Sequence, residues 1–287
     1  MPVSVVTDST TYIPQDLLEK YDIDVVSLLI YDGETHQREV DMDYNAFYER
    51  LKDMTVLPKS AQPSPDTMRE SFLRIIEKGN DVLAVFLSSE MSGTVQSAHM
   101  VAEMIRTTHP HARISIVDSE TNSMQEGYAA IAGAKVAAAG GTLEECENAV
   151  RETMARSRFL FAPQSLEYLK RGGRIGRASA LLGTLIKLVP VLTVENAFTT
   201  TYAKVRTYPK ALETMRKKFV EDMEAAGGVK NVCVHMICDK VPALEFKQNV
   251  IEPLLGYEVP LIDIGPVIGT HVGPAVGLVY ETNNPLR

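Results

Sequence analysis

Three segments of the chain hold residues whose types and spacing could do chemistry. The first runs from Leu87 to Met100, "LSSEMSGTVQSAHM", after the apolar run "VLAVFL". Ser92, Gly93 and Thr94 stand where a helix begins. A helix N-terminus offers unpaired N–H groups and a partial positive charge, so it can hold an anion, and a glycine lets another group approach the backbone closely. A phosphate-cradling loop would need G-x-x-x-x-G-K-[ST], and its lysine and first glycine are absent. A nucleophile elbow, G-x-S-x-G, needs small residues two before and two after the serine; around Ser92 those places hold Glu90 and Thr94. A small anion such as a carboxylate fits better than either. A serine hydrolase using Ser92 and His271, with Asp8 or Asp118 orienting the imidazole, remains an alternative because all three residue types are present.

The second segment is "LIDIGPVIGTHVGPAVGLVY", in which Gly265, Gly269, Gly273 and Gly277 recur every four residues around His271. Such glycines serve either as turn punctuation or as room for tight packing around a bound molecule. This spacing reads His271 as exposed or nearly so, and a lone histidine is more often structural than functional. The third segment, "LKRGGRIGRASALLGTLIKLVPVL", places Arg171, Arg174 and Arg177 beside a helix candidate. Ile175, Leu181, Leu182, Leu185, Ile186 and Leu188 make that helix apolar on most of its circumference, which predicts burial or the lining of a tunnel. Its GG-x-x-G follows a helix where a dinucleotide fingerprint follows a strand. Cys233, His235 and Cys238 lie in a strand-like run: 233 and 235 share one face and 238 points to the other, so they do not converge on a metal.

Elements that could position these residues follow from periodicity. In the first half, strands at 3–7, 23–31, 82–87 and 113–118 alternate with helices near 14–20 and 43–54, one that begins at Asp66 and carries Met68, Phe72, Ile75 and Ile76 on one stripe, and others near 93–106, 127–139 and 142–156. That alternation predicts an α/β fold with a largely parallel sheet covered on both faces. Three of the strands end alike, in "VVTDST", "VFLSSEMSGT" and "SIVDSETNS". Ligands bind beyond the carboxyl ends of such strands, so Thr7–Thr10 (with Ser9), Ser88–Thr94 and Asp118–Thr121 are expected on one polar edge; each alone also reads as a helix N-cap. The second half reads as two short helices, strands at 189–195 and 200–207, a long helix at 209–226, then strands near 232–239, 259–265 and 275–282 around a helix at 242–255. This predicts a smaller mixed α+β domain, with domains at 1–160 and 161–287.

The chain has 287 residues, 45% hydrophobic and 23% charged, with a net charge of −8. No basic run is long enough to track a nucleic-acid backbone. The start, "MPVSVVTDST", carries no basic region ahead of a long apolar run, and Ala180–Val194 is too short to span a bilayer. Three cysteines make no disulfide framework. A cytoplasmic location is expected.

Taken together the motifs resemble the DegV family of bacterial fatty-acid-binding proteins. The matching segments are "TDST" (7–10), "SAQPSP" (60–65), "SSEMSGTVQSA" (88–98), "VDSETNS" (117–123), "LEYLKRGGRIG" (166–176), "AKVRTYPKAL" (203–212) and "IGPVIGTHVGP" (264–274). They keep the family's order across nearly the whole chain. The resemblance implies a two-domain α/β carrier, without cofactor, holding one long-chain fatty acid between its domains. It implies a carboxylate gripped at Ser60 and Ser92, with Gly93, Thr94, Ser9 and His271 nearby. It further implies that the lipid is presented to a fatty acid kinase, with Arg174 at that encounter, and allows transient membrane contact. One departure stands out: the family commonly has Thr-Ser before Gln-Pro-Ser, whereas this chain has Ser60-Ala61, so the second hydroxyl is lost.

Overall fold

The computed structural model describes residues 1–181 and 188–286. Three sheets organise it. Val3–Asp8, Asp24–Val26, Asp81–Phe86 and Ile114–Asp118 form a four-stranded, wholly parallel sheet, in which Val3–Asp8 and Asp81–Phe86 are central. All six residues of Asp81–Phe86 are buried. The helices Pro65–Glu77 and Thr94–Thr108 cover one face, where Met68, Phe72, Val101 and Ile105 pack on Val6, Ala84 and Phe86. The expected first-half α/β layer is therefore present.

The other face meets a helical pair, Ser123–Ala138 and Leu143–Arg156. The second helix opens on a reciprocal cap between Thr142 and Glu145, which satisfies two end groups at once. The first is rich in alanine and glycine because it has a sheet on either side. It packs on Val3–Asp8 and also on Ala275–Thr282 of the second half, and a helix buried nearly all round carries no polar face.

The second half is a mixed sheet of six strands, in the spatial order Phe198–Val205, Val189–Glu195, Ser157–Pro163, Ala275–Thr282, Val229–Ile237 and Leu261–Asp263. Ala275–Thr282 is antiparallel to both neighbours, and all its residues are buried. Ser157–Pro163 is a strand the sequence reading missed. It crosses residue 160, so the expected boundary there cuts through a paired strand. One core cluster also runs through both halves, from Val5 and Leu83 to Phe159 and Val279.

The predicted strand over 23–31 is two strands in different sheets. Asp24–Val26 stays in the parallel sheet, while Leu29–Tyr31 joins His36–Arg38 and Lys59–Ala61 in a small antiparallel one. The break falls at Ser27–Leu28, where backbone groups leave the ladder: Leu28 N–H donates to Ser9 Oγ, and Leu28 C=O accepts from Glu39 N–H. "GPVIGTHV" is not merely turns but contains a short helix, Pro266–Val272. Of the expected all-round apolar helix, Ile175 and Leu181 are buried, and Leu182, Leu185 and Ile186 lie outside the described residues.

Candidate functional site

Residues from both halves enclose a cavity of about 320 Å³, at the small end of the about 300–1,000 Å³ usual for ligand pockets. Its apolar wall is Leu28, Leu87 and Met91 from the first half, with Phe159, Phe161, Leu169, Val194 and Ile268 from the second. Phe159 and Phe161 stack with ring centres 5.0 Å apart. The polar wall includes Ser60, Gln62, Ser92, Asn122, Arg174 and His271.

Ser60 and His271, far apart in sequence, meet here: Ser60 Oγ lies 2.7 Å from His271 Nε2. Ser60 comes from the middle of Lys59–Ala61, paired with Ile30. His271 comes from Pro266–Val272 and is buried, not exposed as its glycine-rich setting suggested. The glycines are spacers for packing partners. A Cβ at Gly269 would run into the Tyr48 hydroxyl, and one at Gly172 would run into His271 Nδ1. Tyr48 donates to Gly265 C=O at 2.9 Å, and Glu39 Oε1 accepts from Val267 N–H at 2.8 Å and from Tyr12 Oη at 3.0 Å. The N-terminus of the helix bearing His271 is thus already occupied by a buried carboxyl of this chain. Burial lifts that carboxyl to about 7, against the hydrogen bonds from Ser9, Val267 and Tyr12 that favour its charge. Burial, aided by the charge of Arg174, pushes His271 down to about 4, so the ring is neutral at pH 7.

Ser92 and Gly93 also line the cavity, where the helix Thr94–Thr108 begins. Gly93 does allow a close approach, by the Gln62 side chain, which takes the place of a Cβ. Gln62 in turn donates to Ser97 Oγ at 2.5 Å. Thr94 is fully buried behind the wall, its hydroxyl 2.9 Å from Ser92 Oγ, so it holds Ser92 without reaching the cavity. Arg174 bridges the halves, donating from Nε to Met91 C=O at 3.1 Å and from Nη1 to Gly172 C=O at 2.8 Å.

Ser9 is not in the cavity wall. Its hydroxyl donates to Glu39 Oε2 at 2.5 Å and accepts from Leu28 N–H at 3.1 Å. The three polar strand ends likewise serve different tasks. Asp8 accepts from Thr10 N–H, Thr10 Oγ1 and Leu87 N–H at 2.7–2.9 Å and caps its own turn. Asp118 accepts from Ser89 and Glu120 N–H. Of these three strand ends, only the 88–94 loop presents a hydroxyl, that of Ser92, to the cavity, because the Asp side chains close turns on backbone N–H groups within reach.

A hydrolytic triad is not assembled. Ser92 pairs with Thr94 instead of His271, and His271 Nδ1, which a triad would tie to Asp8 or Asp118, has no hydrogen-bond partner among the described residues. Cys233, His235 and Cys238 hold no metal geometry, nor does any cluster among the described residues. Cys233 and His235 are buried on one sheet face, with His235 edge-on to Phe159, while Cys238 lies past the strand end with φ of 65°. No helix among the described residues is long and apolar enough to cross a membrane.

Sequence reasoning missed Gln62, Asn122, Phe159 and Phe161 as wall residues. The aromatic pair was legible in principle, since Phe159 and Phe161 alternate in "RFLFAP" and so share one strand face.

The architecture recurs in known proteins. A family model described as an uncharacterised protein of the DegV family matches residues 2–283. A DegV domain-containing protein of Clostridium acetobutylicum is 40% identical over 293 residues, covering 100% of both chains. Among solved structures, a DegV family protein from Thermus thermophilus, described by its fatty acid binding, superposes with a TM-score of 0.86 at 28% identity, covering 98% of this chain and 99% of that one. A stearic acid-binding protein from Eubacterium ventriosum gives a TM-score of 0.85 at 27% identity over 96% and 97% of the two chains. The family match spans nearly the full described chain, and with it the segments that build the cavity: this protein belongs to the DegV family.

Proposed function

We propose that the protein binds one long-chain fatty acid, its tail in the cavity between the halves and its carboxylate at Ser60 and Ser92, and presents it to a fatty acid kinase. The observation that carries this reading is the cavity itself: aromatic and aliphatic walls from both halves, with the Ser60–His271 pair and Ser92 at its polar wall. Serine hydroxyls are donors that a carboxylate can accept from, and a helix start beside Ser92 favours negative charge. A neutral His271 accepting from, or donating to, Ser60 orients that hydroxyl without placing a competing ion pair in the site. A tail of about fifteen buried methylenes, at about 0.8 kcal/mol each, contributes on the order of 12 kcal/mol before association costs. Such a ligand leaves slowly and suits delivery to a partner that does the chemistry.

In this reading the chain is a cytoplasmic carrier, and the parallel sheet and the mixed sheet with their attached loops supply the two faces of one cavity. The fatty acid binding of the Thermus thermophilus and Eubacterium ventriosum relatives supports the ligand class. Native mass spectrometry of the purified protein tests it: a bound acyl mass, or uptake of an added C16–C18 acid at one per chain, is expected. No acyl mass together with no uptake would overturn it. The kinase step is tested by adding a fatty acid kinase and ATP to the loaded protein, with acyl phosphate formation the expected result.

A further inference from the structure

The Ser60–His271 pair has an outer side. A cleft of about 380 Å³ shares Ser60, Arg174 and His271 with the apolar cavity, and these residues form the wall between the two. The rest of its polar lining is Lys59, Arg171 and Thr270, and no carboxylate lines it. Lys59, Arg171 and Arg174 are exposed, and none has a carboxylate partner among the described residues. Three uncompensated cations around one small cleft are notable on a chain whose net charge is −8.

Two buried polar groups of residues that line the cleft also lack partners among the described residues: Thr270 Oγ1 and His271 Nδ1, in residues only 1% and 9% exposed. A buried hydroxyl left unpaired is costly, and each such group calls for a partner. Gly172 lines the cleft as well, and because a Cβ there would run into His271 Nδ1, its bare backbone gives that nitrogen room. When Nε2 accepts from Ser60, Nδ1 carries the ring proton and is a donor.

We propose that this cleft is an oxyanion subsite of the phosphate class, contiguous with the head-group site. Its exposed donors are the Lys59 ammonium and the guanidiniums of Arg171 and Arg174, which also donate to the backbone carbonyls of Thr55, Met91 and Gly172, while the unpaired Thr270 hydroxyl and His271 Nδ1 lie buried beneath them. A carboxylate held on the inner side has only two oxygens, whereas a phosphate presents more oxygens than the inner pair of serines can serve, and guanidinium forks match its geometry. The phosphate group has two conceivable sources: a free anion entering from solvent, or a phosphoryl group carried on the head of the bound lipid. The second source rests on the fatty-acid reading above; the first does not.

The test uses three probes at constant ionic strength: inorganic phosphate, dodecyl phosphate and dodecanoate, titrated calorimetrically into wild-type protein and into Lys59→Ala, Arg171→Ala and Arg171→Lys. Lys59 and Arg171 do not line the apolar cavity. The expected result is that Lys59→Ala and Arg171→Ala each weaken a phosphate probe at least fivefold, that Arg171→Lys recovers part of the loss, and that dodecanoate stays within twofold of wild type. Loss confined to dodecyl phosphate supports the lipid-borne source, and loss for inorganic phosphate supports the free anion. Equal losses for dodecyl phosphate and dodecanoate, or no loss for either phosphate probe, would overturn the subsite. If dodecanoate fails to bind the wild-type protein while inorganic phosphate binds through Lys59 and Arg171, the fatty-acid reading fails and the subsite stands.

Discussion

Replacing Ser60 by alanine is the sharpest perturbation of the head-group site, because the hydroxyl has two separable duties. In the lipid-free protein it is the partner of His271 Nε2, at 2.7 Å, and His271 Nδ1 is already unpaired among the described residues. Ser60→Ala therefore leaves a buried imidazole with both nitrogens unsatisfied, which costs about 1–3 kcal/mol of stability. In the proposed complex the same hydroxyl would donate to the fatty-acid carboxylate, and a hydrogen bond to a charged group is worth about 1.5–3 kcal/mol. At about 1.4 kcal/mol per decade, fatty-acid affinity falls about 10- to 150-fold. Competition titration against a fluorescent fatty acid measures the second effect, and urea unfolding the first. The methyl ester of the same acid lacks the charge, so its binding should drop less than tenfold. Ser60→Thr keeps a hydroxyl at this position and should bind within about threefold of wild type, about 0.6 kcal/mol. The reasoning is refuted if Ser60→Ala binds the acid within threefold of wild type, or loses acid and ester equally.

Other expectations concern the scaffold around the cavity. Gly269→Ala forces a methyl group against Tyr48, so chemical denaturation should show a loss of about 1–3 kcal/mol, and fatty-acid affinity should fall with it as the helix bearing His271 shifts. Burial depresses His235 to about 3 and, with Arg174, His271 to about 4. Stability from these two groups is complete above pH 6.5 and is lost as pH falls toward those values, because the unfolded chain then takes up protons that the native chain refuses. At about 1.36 kcal/mol per unit, lowering pH from 7 to 4 costs about 3 kcal/mol per histidine, and His235→Leu should flatten the acid limb of a Tm-against-pH curve. Burial, with the charge of Asp8 beside it, raises the Glu126 carboxyl well above its usual range and so favours its neutral form. Glu126→Gln should therefore change unfolding free energy by less than about 1 kcal/mol, whereas Glu126→Ala, which empties a fully buried position beside Asp8 and leaves a cavity there, should cost about 2 kcal/mol or more.

Periodicity was enough to place the parallel sheet and its covering helices, since residues 82–86 form a continuous apolar run and Pro65–Glu77 carries Met68, Phe72 and Ile75 on one stripe. It misplaced what depends on distant contacts. The break at Ser27–Leu28 is made by Ser9 and Glu39, and no local pattern announces a hydrogen bond from another loop. Ser157–Pro163 was absorbed into a boundary because an apolar strand start reads like the end of the helix before it. At the site, Ser60, Ser92, Arg174 and His271 were legible through the family's motifs, and all four line the cavity. Ser9 and Thr94 share the same composition signal yet face inward, because a hydroxyl beside a turn serves backbone or carboxyl neighbours as readily as a ligand. Whether His271 is exposed or buried could not be read from glycine spacing, since the groups filling those gaps, Tyr48 and Tyr168, come from remote helices.

Ser60 and His271, which meet at the polar wall of the cavity, are 211 residues apart, and this has a temporal meaning during synthesis. A ribosome adding about 5–20 residues per second makes His271 roughly 10–40 s after Ser60. The innermost strand of the mixed sheet, Ala275–Thr282, is made later still. A nascent chain can complete its parallel sheet early, yet it has neither the second wall of the cavity nor the histidine until synthesis has passed residue 271. A product that ends before residue 271 accordingly lacks His271 and Val272 of the cavity wall. The cavity is therefore among the last features of the molecule to form, completed only when the chain has been translated through its final sheet strand.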